Sequence, residues 1–326
     1  MMRLPPFKHL RPTSAAETAK MLREEGPEAA IVAGGTDLYP NMKRRHQTPK
    51  TLVSVRGVDE LLGVEWQSDG TLRVGPGERL RALERNRDIA ERLPAFHEAL
   101  SVISSPVLRN MGTIGGNLCL DTRCNYYNQN WEWRRSIDFC KKCDGDTCWV
   151  APSSPVCWAI NSSDAVPVMI ASGARVRLVS ADGEREVSCE DFYTGEDGRD
   201  FLAKKPDEVM TDILIPPQAD KRATYLKLRR RGSFDFPVLG VAARIEGNGT
   251  VEKADIILNA IAPFPVRCEK SQAVLEGKAL TEDTIAEAAA LAIKDAKPLD
   301  NTDFAMAWRR KMVPVFVKRA LTALVR

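Results

Sequence analysis

The chain has 326 residues, 44% of them hydrophobic and 28% charged, a globular composition that excludes a disordered chain, a collagen and a coiled coil. Its 47 basic and 44 acidic residues leave a net charge of +3, too balanced to predict nucleic acid as the main partner. The sequence has no run of about 18 apolar residues and no apolar stretch near its start. We therefore expect no membrane span, no secretory signal and a cytoplasmic location.

The first predicted elements form a small βαβ-like unit over residues 1–56. Ser14 and Glu17 have the spacing of a capping box that opens a helix, and Gly26 predicts its end. Two buried strands follow, at 28–33 and 51–55, and the glycine-rich turn Gly34-Gly35-Thr36-Asp37 comes directly after the first of them.

Residues 57–217 predict a second unit that contains an unusual insertion. A hairpin is expected at 63–75, followed by helices at 80–85 and 94–103. A second glycine-rich turn is expected at 111–117, and strands at 174–179 and 209–215. Between 119 and 160 the apolar periodicity nearly vanishes. We therefore expect this insertion to be held by something other than a hydrophobic core.

Residues 218–326 predict a third unit, with Pro216-Pro217 as the candidate linker before it. Pro314 is expected to kink or shorten the last helix. Strands are predicted at 223–228, 238–245 and 251–261. Helices follow at about 267–276, 282–296 and 303–325. This order predicts the α+β fold class.

The two glycine-rich turns suggest a ligand. Glycines allow close approach of the backbone and expose successive amides, which suits a diphosphate, and a helix start after Asp37 would add its dipole. Neither turn has the dinucleotide fingerprint or P-loop pattern, and one such turn is more often only a turn. Two of them together suggest a flavin or nicotinamide dinucleotide held from two sides.

Six of the eight cysteines fall between 119 and 157, which predicts a metal or iron–sulfur site rather than disulfides. Cys124, Cys140, Cys148 and Cys157 are 16, 8 and 9 residues apart. Spacing alone leaves zinc and 4Fe–4S both open, and surplus thiols favour the cluster slightly. A nucleic-acid-binding zinc knuckle is disfavoured, because acidic residues match the arginines that lie among its aromatics.

The sequence resembles the FAD-carrying medium subunits of the molybdenum hydroxylase (xanthine dehydrogenase) family over nearly its whole length. The resemblance is carried by 31–38, by 113–117, by Ser163-Asp164-Ala165-Val166-Pro167, by Tyr225-Leu226-Lys227 and by Ala307-Trp308-Arg309-Arg310. It implies a two-part FAD-binding domain, 1–56 and 57–217, and a C-terminal α+β domain, 218–326. The implied FAD contacts are Ile31, Val32, Ala33, Gly34, Gly35, Thr36, Asp37, Leu38, Ile103, Ser104, Thr113, Ile114, Gly115, Gly116, Asn117, Asp164, Met210 and Lys227.

Within that family, residues 121–129 and the cysteine spacing resemble the cysteine-rich loop of 4-hydroxybenzoyl-CoA reductase beta subunits. The resemblance implies a 4Fe–4S cluster bound by Cys124, Cys140, Cys148 and Cys157, with Cys119 a neighbour. Cys143 stands where no ligand is expected. Asp37 and Asp164 also have an alternative role as helix caps, and Lys227 as a surface strand residue.

The function implied is electron transfer. Electrons from a ferredoxin-type donor would pass through the 4Fe–4S cluster and FAD to the 2Fe–2S clusters of a small partner subunit. Reductive dehydroxylation of a phenolic acyl-CoA would occur at the molybdenum cofactor of a large subunit, in a heterotrimer able to dimerise. No residue of this chain is expected to be catalytic, and His9, His46 and His97 are expected at the surface or in packing. The alternatives are the FAD subunit of a hydroxylase of another heteroaromatic substrate, and a zinc-binding assembly module without redox activity.

Overall fold

The computed structural model describes residues 3–218 and 221–325, and the described strands form three sheets. The strands are β1 (Lys8–Leu10), β2 (Ala29–Val32), β3 (Thr51–Ser54), β4 (Val64–Trp66), β5 (Leu72–Val74), β6 (Arg175–Ser180), β7 (Gly183–Ser188), β8 (Val209–Ile215), β9 (Lys221–Leu228), β10 (Leu239–Glu246), β11 (Lys253–Asn259) and β12 (Val266–Arg267). The strand orders are β1-β3-β2, β4-β5-β8-β6-β7 and β12-β11-β10-β9.

The α-helices pack against these sheets and are short in the first two thirds of the chain. They are α1 (Ala15–Glu25), α2 (Leu38–Lys43), α3 (Leu80–Glu84), α4 (Arg87–Arg92), α5 (Pro94–Val102), α6 (Pro106–Arg109), α7 (Ile114–Leu118), α8 (Trp131–Ser136), α9 (Ala165–Ala171), α10 (Glu269–Leu275), α11 (Glu282–Ala292) and α12 (Met306–Thr322). No helix in the described ranges is long and apolar enough to cross a membrane.

The first sheet is parallel and follows the sequence prediction closely. The Ser14 hydroxyl accepts a hydrogen bond from the Glu17 amide at 3.0 Å and begins α1, and Gly26, at φ 72°, ends it. The Glu17 carboxylate, however, accepts from the Thr13 amide, one residue earlier than a capping box requires. Because β2 is parallel to its neighbour, the turn that follows it lies at the carboxyl edge of the sheet, where open parallel sheets bind ligands.

The second and third sheets are antiparallel and share one core. Side chains alternate along β10: Val241 and Ala243 face α10–α12, whereas Ala242 joins the core around α5 and α9. The prediction of an α+β chain, with a two-part N-terminal domain and a C-terminal domain, agrees with this architecture. The domain limits at 56 and 217 stay a prediction.

Two local predictions differ from the structure. The second glycine-rich turn is the start of α7, with Thr113 as its N-cap. Helix α12 continues past Pro314, because Val313 and Val317 are fully buried in the core beside the third sheet. Packing of these neighbours offsets the hydrogen bond that the proline removes.

The insertion at 119–160 contains one short helix, α8, among turns. Its ends meet where Arg123 and Ile160 exchange two backbone hydrogen bonds of 2.9 and 2.8 Å. Its small apolar cluster consists mostly of cysteines and tyrosines. This agrees with the expectation that ordinary core packing does not hold it.

Candidate functional site

A cavity of about 680 Å³ lies where the three sheets meet. Its wall contains every predicted FAD contact except one: Ile31, Val32, Ala33, Gly34, Gly35, Thr36, Asp37, Leu38, Ile103, Ser104, Thr113, Gly115, Gly116, Asn117, Asp164, Met210 and Lys227. The exception is Ile114, whose side chain is fully buried in the core and whose amide donates to the Glu78 carbonyl at 3.0 Å. We therefore remove Ile114 from the candidate contacts.

The turn after β2 needs its glycines for a reason that the sequence does not reveal. A Cβ on Gly34 would collide with the Met111 carbonyl, and Gly35 has φ 70° with the Tyr39 ring against it. The glycines thus let this turn pack against the segment before α7. Within the described residues, the amides of Gly34, Gly35 and Thr36 form no hydrogen bond. Three unpaired amides at a cavity wall suit an anionic group such as a diphosphate.

The second turn contributes differently. The Gly116 amide donates to Thr113 Oγ1 at 3.2 Å, and the Gly115 amide donates to the Pro76 carbonyl at 2.9 Å. The sequence predicted two similar amide cradles, but these amides already have partners. The second turn therefore offers surface and side chains to a ligand, whereas the first offers free donors.

Asp37 and Asp164 stand at the N-caps of α2 and α9, but neither carboxylate caps its helix. Asp37 accepts from Asn41 Nδ2 at 2.9 Å and pairs with Arg123. Asp164 accepts from the Tyr225 hydroxyl at 2.7 Å. Both carboxylates are therefore bound at the cavity, and the cap interpretation of their side chains is wrong.

Lys227 is a buried member of the site rather than a surface strand residue. Its ammonium donates to Asp164 Oδ2 at 2.8 Å and to the Val102 carbonyl at 2.9 Å, and its side chain is 2% exposed. Burial raises the pKa of Asp164, an effect that Lys227 opposes, and burial lowers the pKa of Lys227, which Asp164 opposes. The pair fixes β9 to the start of α9 at the floor of the cavity.

Ile103 and Ser104 reach the cavity through a strained turn. Ser104 has φ 49°, and its carbonyl accepts from the Phe234 amide at 3.1 Å. The guanidinium of Arg109 donates to the Ile103 carbonyl at 2.7 Å while it pairs with Glu84. These contacts hold an unfavourable backbone conformation and join the turn to the C-terminal unit.

Sequence reasoning did not assign cavity roles to Arg123, Ser162, Asn41 or Phe236, all of which line the wall. The hydroxyl of Ser162 and Nε of Arg123 are buried without a partner among the described residues. Unsatisfied polar atoms of this kind are rare in a folded interior unless a ligand or water completes them. With the free amides of the first turn, they fit a polar, anionic cofactor such as FAD.

A second, much smaller cavity lies inside the insertion. Cys124, Cys140, Cys148 and Cys157 all line it, and each is at most 7% exposed. Burial raises the pKa of the Cys124 thiol to about 11 and of Cys157 to about 12. Buried thiols therefore remain protonated unless a metal deprotonates them.

Cys143 does not line this small cavity. Its sulfur lies 3.2 Å from Asp144 Oδ2 and 3.6 Å from the His46 carbonyl oxygen. Cys119 lines the large cavity instead. The structure thus separates the four resemblance-implied cysteines from the other two of the insertion.

No three His, Cys, Asp or Glu side chains within residues 3–218 and 221–325 are arranged around a single metal ion. This finding gives no support to a bound metal ion. In a 4Fe–4S cluster each thiolate binds a different iron, so the four sulfurs stand farther apart than around one ion. The four cysteines line one cavity of about 10 Å³, and their role as cluster ligands stays a prediction.

The two cavities share a wall. Asp121, Arg123, Asn125 and Asn128 face the large cavity, and Cys124 faces the small one. Lys142 lies in the wall of the small cavity and donates to Asp121 at 2.8 Å. One stretch of backbone therefore contacts both cavities.

His46 is buried beside this wall. Its Nε2 lies 2.8 Å from the Gln129 carbonyl, and its ring is 4.6 Å from that of Tyr127. Burial lowers its pKa. It is a packing residue, as expected, but one that packs against the cysteine-rich insertion.

The comparisons with known proteins agree with the site. Residues 5–218 match the FAD-binding domain of molybdopterin dehydrogenases, and residues 223–324 match the CO dehydrogenase flavoprotein C-terminal domain. The carbon monoxide dehydrogenase medium chain of Afipia carboxidovorans is 30% identical over 97% of this chain and 95% of its own length. The aldehyde oxidoreductase FAD-binding subunit of Escherichia coli is 32% identical over 86% of this chain and 89% of its own.

Among solved structures, a chain of carbon monoxide dehydrogenase from Hydrogenophaga pseudoflava superposes with a TM-score of 0.82 at 27% identity, over 99% of this chain and 98% of its own. The chain belongs to the FAD-binding medium subunits of the molybdenum hydroxylase (xanthine dehydrogenase) family. Its homologues are subunits of oxidoreductases.

Proposed function

We propose that this chain is the electron-transfer subunit of a molybdenum-containing, 4-hydroxybenzoyl-CoA reductase-like enzyme. FAD would occupy the large cavity, and a 4Fe–4S cluster would be bound by Cys124, Cys140, Cys148 and Cys157. One observation carries the proposal: the four cysteines line one small cavity, and residues next to Cys124 in the chain line the large one. Bound FAD would exchange electrons in pairs or singly, and a bound cluster singly.

The protein's own residues have definite tasks in this scheme. The free amides of the first turn and the buried ion pair of Asp164 and Lys227 would hold and orient the flavin. The four thiols are buried at the small cavity, and the ammonium of Lys142 places a positive charge in its wall. That charge offsets the negative charge of thiolates.

The partners proposed are a large molybdenum-cofactor subunit and a small 2Fe–2S subunit, in a heterotrimer able to dimerise, and a ferredoxin-type donor. The relatives named above support a multi-subunit assembly, because they are called medium chains or FAD-binding subunits. The substrate would be a phenolic acyl-CoA bound on the large subunit. The cytoplasmic location stays a prediction.

A second candidate is the FAD subunit of a hydroxylase that oxidises another substrate. The names of the relatives favour it, since they include xanthine and nicotinate dehydrogenases as well as the carbon monoxide enzymes. The cysteine-lined cavity favours the first candidate. The zinc-binding module receives no support from the side-chain arrangement in the described part of the chain.

Metal and flavin analysis of the purified chain tests the proposal. We expect flavin absorbance, one FAD, and about four iron and four sulfide per chain. One zinc without iron would contradict it. Assays of the assembled enzyme with reduced ferredoxin and a phenolic acyl-CoA, or with NAD and a heteroaromatic compound, then separate the two candidates.

A further inference from the structure

Arg123 occupies an unusual position, because it is a buried cation contributed by the insertion to the wall of the large cavity. Its side chain is 9% exposed, and burial lowers the pKa of its guanidinium. The neighbouring residue in sequence, Cys124, faces the other cavity. The side chain of Arg123 therefore points away from the cysteines and toward the flavin site.

The partners of its guanidinium in the described structure leave Nε without an acceptor. Nη2 pairs with Asp37, and Nη1 donates to Asn41 Oδ1 at 3.1 Å. The Phe236 ring lies 5.0 Å from the guanidinium carbon. Nε is buried and has no partner within the described residues. A buried N–H of a charged group is costly to leave unpaired.

The surroundings indicate what chemistry would complete Nε. Asp37 directly follows the three unpaired amides of Gly34, Gly35 and Thr36, so donors and a cation converge on one part of the cavity. Amides and guanidinium groups together recognise phosphate oxygens.

We propose that Arg123 is a cofactor-binding residue whose Nε donates a hydrogen bond to the diphosphate of FAD. This inference rests on FAD occupying the large cavity, as proposed above. Arg123 also holds Asp37 in place, so that the carboxylate does not repel the anionic cofactor. The insertion would then build part of the flavin site as well as the cysteine cavity.

The test measures FAD and ADP affinity of the full chain after removal of flavin. Arg123→Met should weaken FAD binding roughly tenfold to a hundredfold, as expected for a hydrogen bond to a charged group. The binding of ADP, which carries the diphosphate, should weaken by a similar factor, and the binding of adenosine should be unaffected. Arg135→Met is the matched control, because it removes an exposed arginine of the same insertion.

A merely structural role gives a different pattern. Because Asp37 is itself a predicted FAD contact, the single variant Asp37→Asn is the reference. If Arg123 only neutralises Asp37, adding Arg123→Met to Asp37→Asn should leave FAD affinity unchanged. We expect the double variant to bind FAD more weakly than Asp37→Asn alone. Arg123→Lys keeps a positive charge without Nε, and it should bind FAD about tenfold more weakly. This variant serves if Arg123→Met fails to fold.

Unchanged FAD affinity in both single Arg123 variants, or equal FAD affinity in Asp37→Asn and in the double variant, would overturn the inference. Weaker binding of FAD with unchanged binding of ADP would also overturn it. Iron content is measured in the same samples. Absence of iron from the native chain would contradict the proposed cluster and leave the Arg123 result interpretable.

Discussion

The two cavities of this protein are built on different principles. The large one lies where three sheets meet, and helices and strands of the main cores fix its wall. The small one lies in a segment with one short helix, and its apolar cluster is formed by Cys124, Tyr127, Cys140, Cys157 and Ala159. A cluster of this size removes little apolar surface from water.

This difference predicts how each cavity depends on its cofactor. The large cavity should keep its shape without FAD, because the sheets around it are stabilised by their own cores. The insertion has only a small apolar cluster of its own, so the metal coordination proposed above would add to its folding free energy. Four experiments probe the contrast.

Cys124→Ser should abolish the cluster. A 4Fe–4S site that loses one of four thiolates is expected to lose nearly all its iron and its absorbance, while FAD stays bound in the other cavity. Iron and flavin quantification measures both. Cys143→Ser is the control, because Cys143 does not line the small cavity and should keep full iron content. Equal iron loss in both variants would show that the ligand set is wrong.

Gly34→Ala should damage the large cavity. The added Cβ would meet the Met111 carbonyl, so the first turn must move and its free amides would lose their alignment. We expect FAD binding to weaken at least tenfold and the free energy of unfolding to fall by about 1–3 kcal/mol, as for other overpacked positions. Gly57→Ala is the control, since nothing lies within 4 Å of its Cβ position. Native FAD affinity in the Gly34 variant would contradict this account.

Asp164→Asn should destabilise the FAD-type domain by about 3–5 kcal/mol, because it leaves the buried ammonium of Lys227 without its charged partner. Denaturant unfolding followed by circular dichroism measures the loss. Glu282→Gln breaks the exposed pair with Lys318, in which the two side chains are 86% and 48% exposed, and should cost no more than about 1 kcal/mol. Similar losses in both variants would refute a special role for the buried pair.

His46 should make stability depend on pH, by a smaller amount. Burial lowers its pKa in the folded chain, and protonation would leave N–H at Nδ1 without a partner in the described structure. Below pH about 6.5 the unfolded chain binds a proton that the folded chain does not, so stability falls as pH decreases. The slope contributed is at most about 1.4 kcal/mol per pH unit.

His46→Gln should therefore flatten the decline in the free energy of unfolding between about pH 6.5 and 5. Urea titrations at several pH values measure it. A variant whose stability declines in parallel with that of the native chain would exclude His46 as the source.

Much of the architecture could be predicted because local patterns agree with the fold. Ser14 and Gly26 mark the ends of α1, and the strands expected at 174–179 and 209–215 appear as β6 and β8. Helix α12 is different, because buried neighbours decide whether a helix passes a proline, and no local pattern reports that burial. The glycines of the first turn were found, although their steric partner, Met111, lies far along the chain.

The parts of the site that the sequence alone did not predict depend on contacts between distant segments of the chain. Arg123 meets Asp37 across 86 residues, and Lys227 meets Asp164 across 63. A single sequence carries no signal for such pairs. The resemblance identified Asp164 and Lys227 as FAD contacts. Arg123 belongs to the insertion, where a basic residue indicates only that the negative charge of thiolates is offset.

The paired backbone of Arg123 and Ile160 has a practical consequence. The insertion leaves and re-enters the fold at adjacent positions, so the rest of the molecule needs only a short connection there. Residues 124–159 can be regarded as a cassette. Excision with a tight loop closing the gap would remove the cysteine-lined cavity and leave the three sheets connected as before.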